Sequence, residues 1–354
     1  MTGERTINIA GAGPSGLAAA IWLRRHGYGV RVFDKAPAAG SRFRGDFQGL
    51  ENWTSRGDAL ESLREMGIEP DFPAVPYYGG TIFTRGAPPA EIKAQKPMFY
   101  LVRRGPVPGT LDYSLMEQAQ AAGAELRFGH RLDSFEGMDV VGTGPAGLIT
   151  LIAGVTFRTS AKDAAYALLG DEFAPGGYGY LLVCGGLATM ATVLYRDFPR
   201  ASECLRRTRA FFASRLPLDA KEERRFTGRI NFFVRDSHKK GGTLYVGEAA
   251  GFQDCLWGFG MRYAMTSGHL AARSIVEGAD YDSLWKKGLG PGLHASLVNR
   301  RLFEWLGRWG YTRIPRSIAR SADPRESLMR QYRLSPLTRL LLPLCRGRFK
   351  APPL

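Results

Sequence analysis

The stretch Ile7-Asn8-Ile9-Ala10-Gly11-Ala12-Gly13-Pro14-Ser15-Gly16-Leu17 constrains the fold more than any other. Short apolar residues run into three glycines at G-x-G-x-x-G spacing. Leu17 to Arg25 reads as a helix, Gly27 stops it, and Val30-Arg31-Val32-Phe33-Asp34 reads as a second strand. Asp34 lies 23 positions after Gly11. Strand, tight turn, helix, strand and terminal acid form the layout of a dinucleotide-binding βαβ unit. In that layout Gly11 permits the turn, Gly13 lets the backbone approach a pyrophosphate, and Gly16 lets the helix pack closely on the strand. The helix N-terminus, around Pro14 and Ser15, offers unpaired N–H groups and a positive dipole end to the phosphate. Asp34 accepts from ribose hydroxyls, with Lys35 beside it. An Asp here suits a 2′-hydroxyl rather than a 2′-phosphate, so FAD or NAD is favoured over NADP. The alternative is a glycine-rich βα turn that only packs.

A second loaded stretch lies two-thirds along: Leu244-Tyr245-Val246-Gly247-Glu248, then a loop to Gly258 and Gly260, then a helix from Met261 to Val276. An acid at a strand end, Glu248, can hold a ribityl or ribose hydroxyl. The helix entry at Gly258 to Met261 offers N–H donors and a positive dipole end, which would stabilise an anionic reduced flavin. An ordinary βα unit with a glycine-rich connection is the competing reading.

A second G-x-G-x-x-G, Gly142 to Gly147, is followed by Leu148-Ile149-Thr150-Leu151-Ile152-Ala153-Gly154-Val155. That run is β-branched and broken by Gly154, which predicts a strand. With no helix there is no dipole for a second phosphate, so the turn is expected only to touch the first cofactor. Residues 148 to 235 read as mostly β. Tyr178 to Val183 and Thr189 to Tyr195 are hairpin-like around Gly185-Gly186, Glu203 to Ser214 is a helix, and Ile230 to Val234 is another strand.

The 354 residues allow one large or two ordinary domains. The strand at Ile7 is expected to leave no room for a signal peptide. Cys184, Cys204, Cys255 and Cys345 are far apart, without a C-x-x-C, and the five histidines form no metal-like pair. Neither a disulfide framework nor a metal site is expected, and a reducing cytoplasm fits. Net charge is +15, and residues 301–354 carry 12 Lys and Arg against 3 Asp and Glu, a local net of +9. In that tail Trp305, Trp309, Tyr311, Ile314, Leu334, Leu337, Leu340, Leu341, Leu342 and Leu344 are interleaved with arginines, and Pro336 and Pro343 are expected to break any long helix. Basic residues beside Leu and Trp suit contact with an anionic membrane surface. A solvated helical cap is the alternative. No nucleic-acid motif is present.

With both glycine stretches in hand, the chain resembles the FAD-dependent group that includes p-hydroxybenzoate hydroxylase and the geranylgeranyl reductases. The resemblance rests on Gly11, Gly13, Gly16 and Asp34, on Gly247-Glu248, and on Gly258 and Gly260. It implies FAD as cofactor and a diphosphate contact from Arg104, with Arg42 in the loop after the ribose acid as a second. The likeness to the reductase branch rests on Tyr178-Gly179-Tyr180-Leu181-Leu182, similar to that branch's Tyr-x-Trp-x-Phe-Pro substrate strand. Tyr178, Tyr180 and Trp257 are accordingly expected to line an apolar substrate pocket. Sheet core is the alternative for them.

The fold class expected is α/β. A Rossmann-like, three-layer FAD-binding domain over residues 1–147 and 236–290 carries an inserted antiparallel β-sheet substrate domain over 148–235. A basic helical region follows over 291–354. The activity expected is hydride transfer between flavin N5 and a carbon–carbon bond of an isoprenoid or fatty acyl chain, as reductase or desaturase. The electron donor or acceptor would be external: NAD(P)H, a ferredoxin or oxygen. The competing readings are an FAD-dependent monooxygenase of an aromatic or apolar small molecule and a non-catalytic FAD-containing membrane module. The expected location is the cytoplasm, peripheral to the inner face of the membrane. No catalytic side chain is singled out.

Overall fold

A computed structural model describes residues 5–145 and 147–346. Ala146, inside the second glycine run, and residues 347–354 of the basic tail lie outside the described residues, as do residues 1–4. The first half of the chain runs β1 (Thr6–Ala10), α1 (Pro14–Arg25), β2 (Gly29–Phe33), β3 (Phe47–Glu51), α2 (Ala59–Glu65), β4 (Ala74–Tyr77), β5 (Gly79–Thr84), β6 (Ala87–Lys93), β7 (Phe99–Arg103), α3 (Leu111–Ala121), β8 (Glu125–Arg127) and β9 (Val140–Val141). It continues with β10 (Thr150–Arg158), β11 (Ala164–Leu169), β12 (Tyr178–Cys184), β13 (Leu187–Leu194), α4 (Ala201–Ala213), β14 (Lys221–Ile230), β15 (Lys239–Lys240) and β16 (Thr243–Tyr245). Five helices close it: α5 (Met261–Glu277), α6 (Tyr281–Gly288), α7 (Gly290–Ala319), α8 (Pro324–Arg330) and α9 (Pro336–Arg346).

The nucleotide half is a six-stranded sheet in the order β15-β16-β9-β1-β2-β8, parallel except for β15. Ile7 and Ile9 of β1 are fully buried, as a strand covered on both faces requires. Three alanines, Ala18 to Ala20, give α1 a thin face. Against α1 lies α5, so near that a Cβ on Gly268 would overlap the Ser15 carbonyl oxygen. One continuous core joins this sheet and its helices to the three-stranded sheet β3-β7-β4 through Leu50, Tyr100 and Val102.

The second large sheet has the order β14-β10-β13-β12-β11-β5-β6. It is antiparallel except where β11 meets β5. Two of its seven strands, β5 and β6, come from residues 79–93, well upstream of residue 148 where the sequence reading starts the sheet unit. The β12–β13 hairpin closes at Gly185-Gly186, both with positive φ (56° and 75°), which matches the twist of the flanking strands. Leu181 and Val183 of β12 point to one face and pack with Phe212 of α4. By the two-residue alternation of a strand, Tyr178, Tyr180 and Leu182 point to the other face.

Two local expectations fail. The strand read at Ile230 to Val234 instead occupies Lys221–Ile230 and ends where its antiparallel partner β10 begins, at the Thr150–Ile230 pairing. Its charged, exposed first half looks unlike a strand because it is a sheet edge, where charge blocks further pairing. Pro336 does not end a helix but opens α9, where its missing N–H leaves no bond unmade, and Pro343 is carried inside the same helix. The 30-residue α7 holds Pro315 and is broken at Gly307, whose φ of 47° and ψ of −131° are not helical.

Candidate functional site

Two helix N-termini meet one cavity. The N-cap of α1 is Gly13 and that of α5 is Gly260, and neither helix has a side-chain cap. Their first N–H groups therefore remain available to a ligand. Gly13, Pro14, Ser15, Gly260 and Met261 all line a single cavity of about 840 Å³. Close approach explains the glycines behind the lining. A Cβ on Gly11 (φ 102°) would run into the Gly142 carbonyl, and one on Gly16 would overlap the Gly11 carbonyl oxygen. A Cβ on Gly247 (φ 59°) would sit 2.6 Å from Ser15 Oγ. Gly11, Gly16 and Gly247 thus shape the cavity from beneath rather than lining it.

Asp34 lines the cavity and ties it together. Its carboxylate accepts from the backbone N–H of Ala12 at 2.7 Å and of Ala36 at 2.8 Å, which fixes the glycine turn. Each carboxylate oxygen keeps a second lone pair for a ribose hydroxyl. Lys35 lines the same end. Glu248 lies in a one-turn helix, Gly247–Ala250, that starts just after β16. Burial pushes its carboxyl above the usual range, against the pull of Arg42 at 3.4 Å. The guanidinium of Arg42 lies 4.7 Å from the Phe43 ring centre, and that of Arg104 lies 4.1 Å from it. Arg42, Arg104 and Glu248 all line the cavity. The second glycine turn, Gly142 to Gly144, lines it beside α1, and a strand rather than a helix follows.

The loop before α5 is built around Asp254, a residue the sequence reading passed over. Its carboxylate accepts from the N–H groups of Leu256 (3.0 Å) and Trp257 (2.8 Å) and from the Tyr332 hydroxyl (3.0 Å). The only sequence signal was an Asp ahead of a glycine loop, which is common. Gly258, Phe259 and Trp257 then face the cavity. The Tyr178 hydroxyl donates to the Trp257 carbonyl, linking β12 to this loop. Trp257 Nε1 is buried with no partner among the described residues.

From this junction the cavity continues along one face of the seven-stranded sheet. Tyr178, Tyr180 and Leu182 of β12, Ile152 of β10 and Ile82 of β5 line it. At the β5–β6 edge, Ile314, Pro315 and Ile318 of α7 and Leu328 of α8 join them. Sequence reading missed this helical wall, because contacts between residues more than two hundred positions apart leave no local pattern. Burial holds the Tyr178 and Tyr180 hydroxyls far above their ordinary range, so both stay protonated phenols.

The residues fit FAD. Two uncapped helix ends, a glycine cradle with no room for a Cβ, and an acid at each of two strand ends converge on one cleft. Residues 4–139 match the family described as FAD binding domain. A curated relative, digeranylgeranylglycerophospholipid reductase of Haloferax volcanii, is 23% identical over 370 aligned positions, covering 86% of this chain and 85% of its own. Among solved structures, a geranylgeranyl bacteriochlorophyll reductase-like protein of Thermoplasma acidophilum superposes with a TM-score of 0.71 at 17% identity, covering 97% of this chain and 100% of that one. A flavin-dependent brominase superposes with a TM-score of 0.67 at 16% identity, covering 97% and 99%. These structures share the fold, and the cofactor is FAD. The chain is therefore an FAD-dependent oxidoreductase with a Rossmann-like flavoprotein fold.

Proposed function

We propose that this oxidoreductase moves hydride between flavin N5 and a carbon–carbon bond of an apolar isoprenoid or fatty acyl chain. The observation that carries the reading is the wall of the cavity beyond the α5 N-terminus. It is made of Ile82, Ile152, Tyr178, Tyr180, Leu182, Ile314 and Ile318 and their neighbours, with Arg229 among the few charged side chains that line the cavity there. Such a wall gains by removing apolar chain from water, and Arg229 at its margin leaves most of its length without a charge. The Haloferax volcanii relative is named as a reductase of a digeranylgeranyl lipid, which supports the same substrate class.

Bound FAD supplies the hydride-carrying centre. The chain's own contribution is placement and electrostatics. The uncapped N-terminus of α5 presents N–H donors and the positive end of its dipole to the cavity, where they would stabilise negative charge on a reduced flavin. Asp34 and Glu248 would hold hydroxyls of the cofactor's sugar portions, and Arg42 and Arg104 its diphosphate. Trp257 and the β12 tyrosines keep water from the reacting carbons. Nothing in this arrangement prefers reduction over desaturation, since the same geometry serves both directions. Electrons come from or go to an external partner such as NAD(P)H, a ferredoxin or oxygen.

Organic extraction of the purified protein followed by mass spectrometry tests the reading. An acyl or prenyl chain that co-purifies, and whose unsaturation changes when reduced holoprotein is incubated anaerobically, is the expected result. An empty pocket, together with oxygen-dependent hydroxylation of a small aromatic, would overturn it in favour of a monooxygenase.

A further inference from the structure

The second half of α7 has two faces with opposite characters. Tyr311, Ile314, Pro315 and Ile318 turn inward, and the last three line the cavity. The Tyr311 hydroxyl donates to Asp171 at 2.9 Å and its carbonyl accepts from the Thr84 hydroxyl at 2.9 Å, so this half-helix is fixed to the sheet edge. At helical spacing, Trp309, Arg313, Arg316 and Arg320 fall on the opposite side. Trp309 is 55% exposed and Trp305 is 59% exposed. Each has an arginine over its ring, Arg313 and Arg301 respectively.

α9 packs along α7 and extends this surface. Its buried Cys345 lies within electrostatic reach of Arg301, the arginine that stacks on Trp305. Leu337, Leu340 and Leu344 follow i, i+3, i+7 spacing on the outer face of α9 and are 58%, 74% and 75% exposed. Arg308, Arg313, Arg316, Arg320 and Arg339 have no carboxylate at ion-pair distance among the described residues. The outer surfaces of α7 and of α9, which pack on each other, thus carry five exposed apolar side chains and a set of guanidiniums without carboxylate partners, and the second half of α7 alone stands between Trp309 and the cavity.

The geometry points to this α7–α9 face as a docking surface for a lipid bilayer bearing anionic headgroups, with α7 the partition between bilayer and substrate cavity. Tryptophans and leucines enter the acyl boundary while arginines meet headgroup phosphates, the pattern of an interfacial rather than a spanning helix. Among the described residues no helix is long and apolar enough to cross a membrane. A soluble acidic protein would explain the arginines but not the protruding leucines, and a second copy of this chain would bring like charge to like charge. The inference rests on the lipid-substrate reading above and adds to it the side from which a chain is delivered.

Co-sedimentation of the FAD-loaded protein with phosphatidylcholine vesicles, with and without phosphatidylglycerol, tests it. Binding is expected only with phosphatidylglycerol and weakens at least about tenfold on going to high salt, because screening shortens electrostatic reach to a few ångströms. Trp309→Glu and Leu340→Glu, both outside the cavity lining, are each expected to cut binding at least tenfold while the far-ultraviolet spectrum and flavin content stay unchanged. A fully folded protein that ignores anionic vesicles overturns the inference, as does a dimer in ultracentrifugation that Trp309→Glu dissociates. Vesicle binding with no extractable chain would sink the substrate reading alone. Turnover of detergent-dispersed chain with no vesicle binding would sink the docking surface alone.

Discussion

Arg104 and Asp112 form a doubly bonded ion pair in the interior: Nε to Oδ2 at 2.8 Å and Nη2 to Oδ1 at 2.6 Å, with side chains 4% and 2% exposed. Burial alone would lower the Arg104 pKa, but the Asp112 carboxylate outweighs it and holds the guanidinium above its ordinary value. Asp112 also accepts from the Gly105 N–H at 3.0 Å, so the pair pins the β7–α3 connection beside the cavity. Asp112→Ala strands a buried cation and is expected to cost about 3 to 5 kcal/mol, read by urea unfolding. The double replacement Arg104→Met with Asp112→Leu is expected to regain much of that stability. It should still bind FAD at least tenfold more weakly, because Arg104 itself faces the cavity. A double variant with full flavin affinity would remove Arg104 from the diphosphate contact.

The fingerprint turn makes a sharper demand. Gly16 sits where a Cβ would overlap the Gly11 carbonyl oxygen and lie 3.3 Å from Ile9 Cγ2. Gly16→Ala must push α1 off β1, an overpacking expected to cost about 1 to 3 kcal/mol. The same shift moves the α1 N–H groups away from the phosphates. At Gly13→Ala, where the nearest protein atom to a Cβ is 4.0 Å away, folded stability is expected to hold while FAD affinity still falls, because the methyl group enters the space kept for the pyrophosphate. Fluorescence titration of apoprotein with FAD gives both affinities.

These two sites mark what a chain pattern reveals. The βαβ unit was legible because its strand, turn, helix and acid are contiguous, each with its own local preference. Arg104 was legible only as a diphosphate contact implied by resemblance, and its pairing with Asp112 was not, because the intervening Gly105 to Thr110 connection has to fold back before the two side chains meet. The α7–α8 wall was not legible at all. Ile314 and Ile318 sit in a helix whose local pattern is basic and interrupted by Gly307 and Pro315, and only packing against β5 and β6 turns them toward the cavity. The edge strand β14 hid for the converse reason, since edge protection replaces the alternating pattern with charge.

Glu51 at the end of β3 is fully buried, and burial pushes its carboxyl up to about 7 despite the nearby Arg262 guanidinium. One oxygen accepts from the Thr54 hydroxyl at 3.2 Å; the other has no partner among the described residues. The folded-state pKa is above the unfolded one. The protonated form is therefore favoured by folding, and its contribution is full below about pH 4.5 and lost as pH rises through 7. Comparing Glu51→Gln with the parent between about pH 5 and pH 8, the variant is expected to gain about 2 to 3 kcal/mol relative to the parent as pH rises. Urea unfolding at the two pH values measures it. A pH-independent difference would mean that Glu51 stays ionised throughout.

Leu182 belongs to the apolar wall of the cavity, away from the glycine turns. It lies on the cavity face of β12 beyond Tyr178 and Tyr180, and it is only half-buried, so a polar replacement leaves the core under α4 intact. Leu182→Glu places a carboxylate in an apolar wall, a cost that falls on any apolar chain brought against it. Flavin content and unfolding midpoint are expected to stay near those of the parent. The amount of extractable acyl or prenyl chain, and kcat/KM for it, are each expected to fall at least tenfold. Equal losses in flavin and chain would mean that the two halves of the cavity fold as one unit and that the wall does not act on the substrate separately.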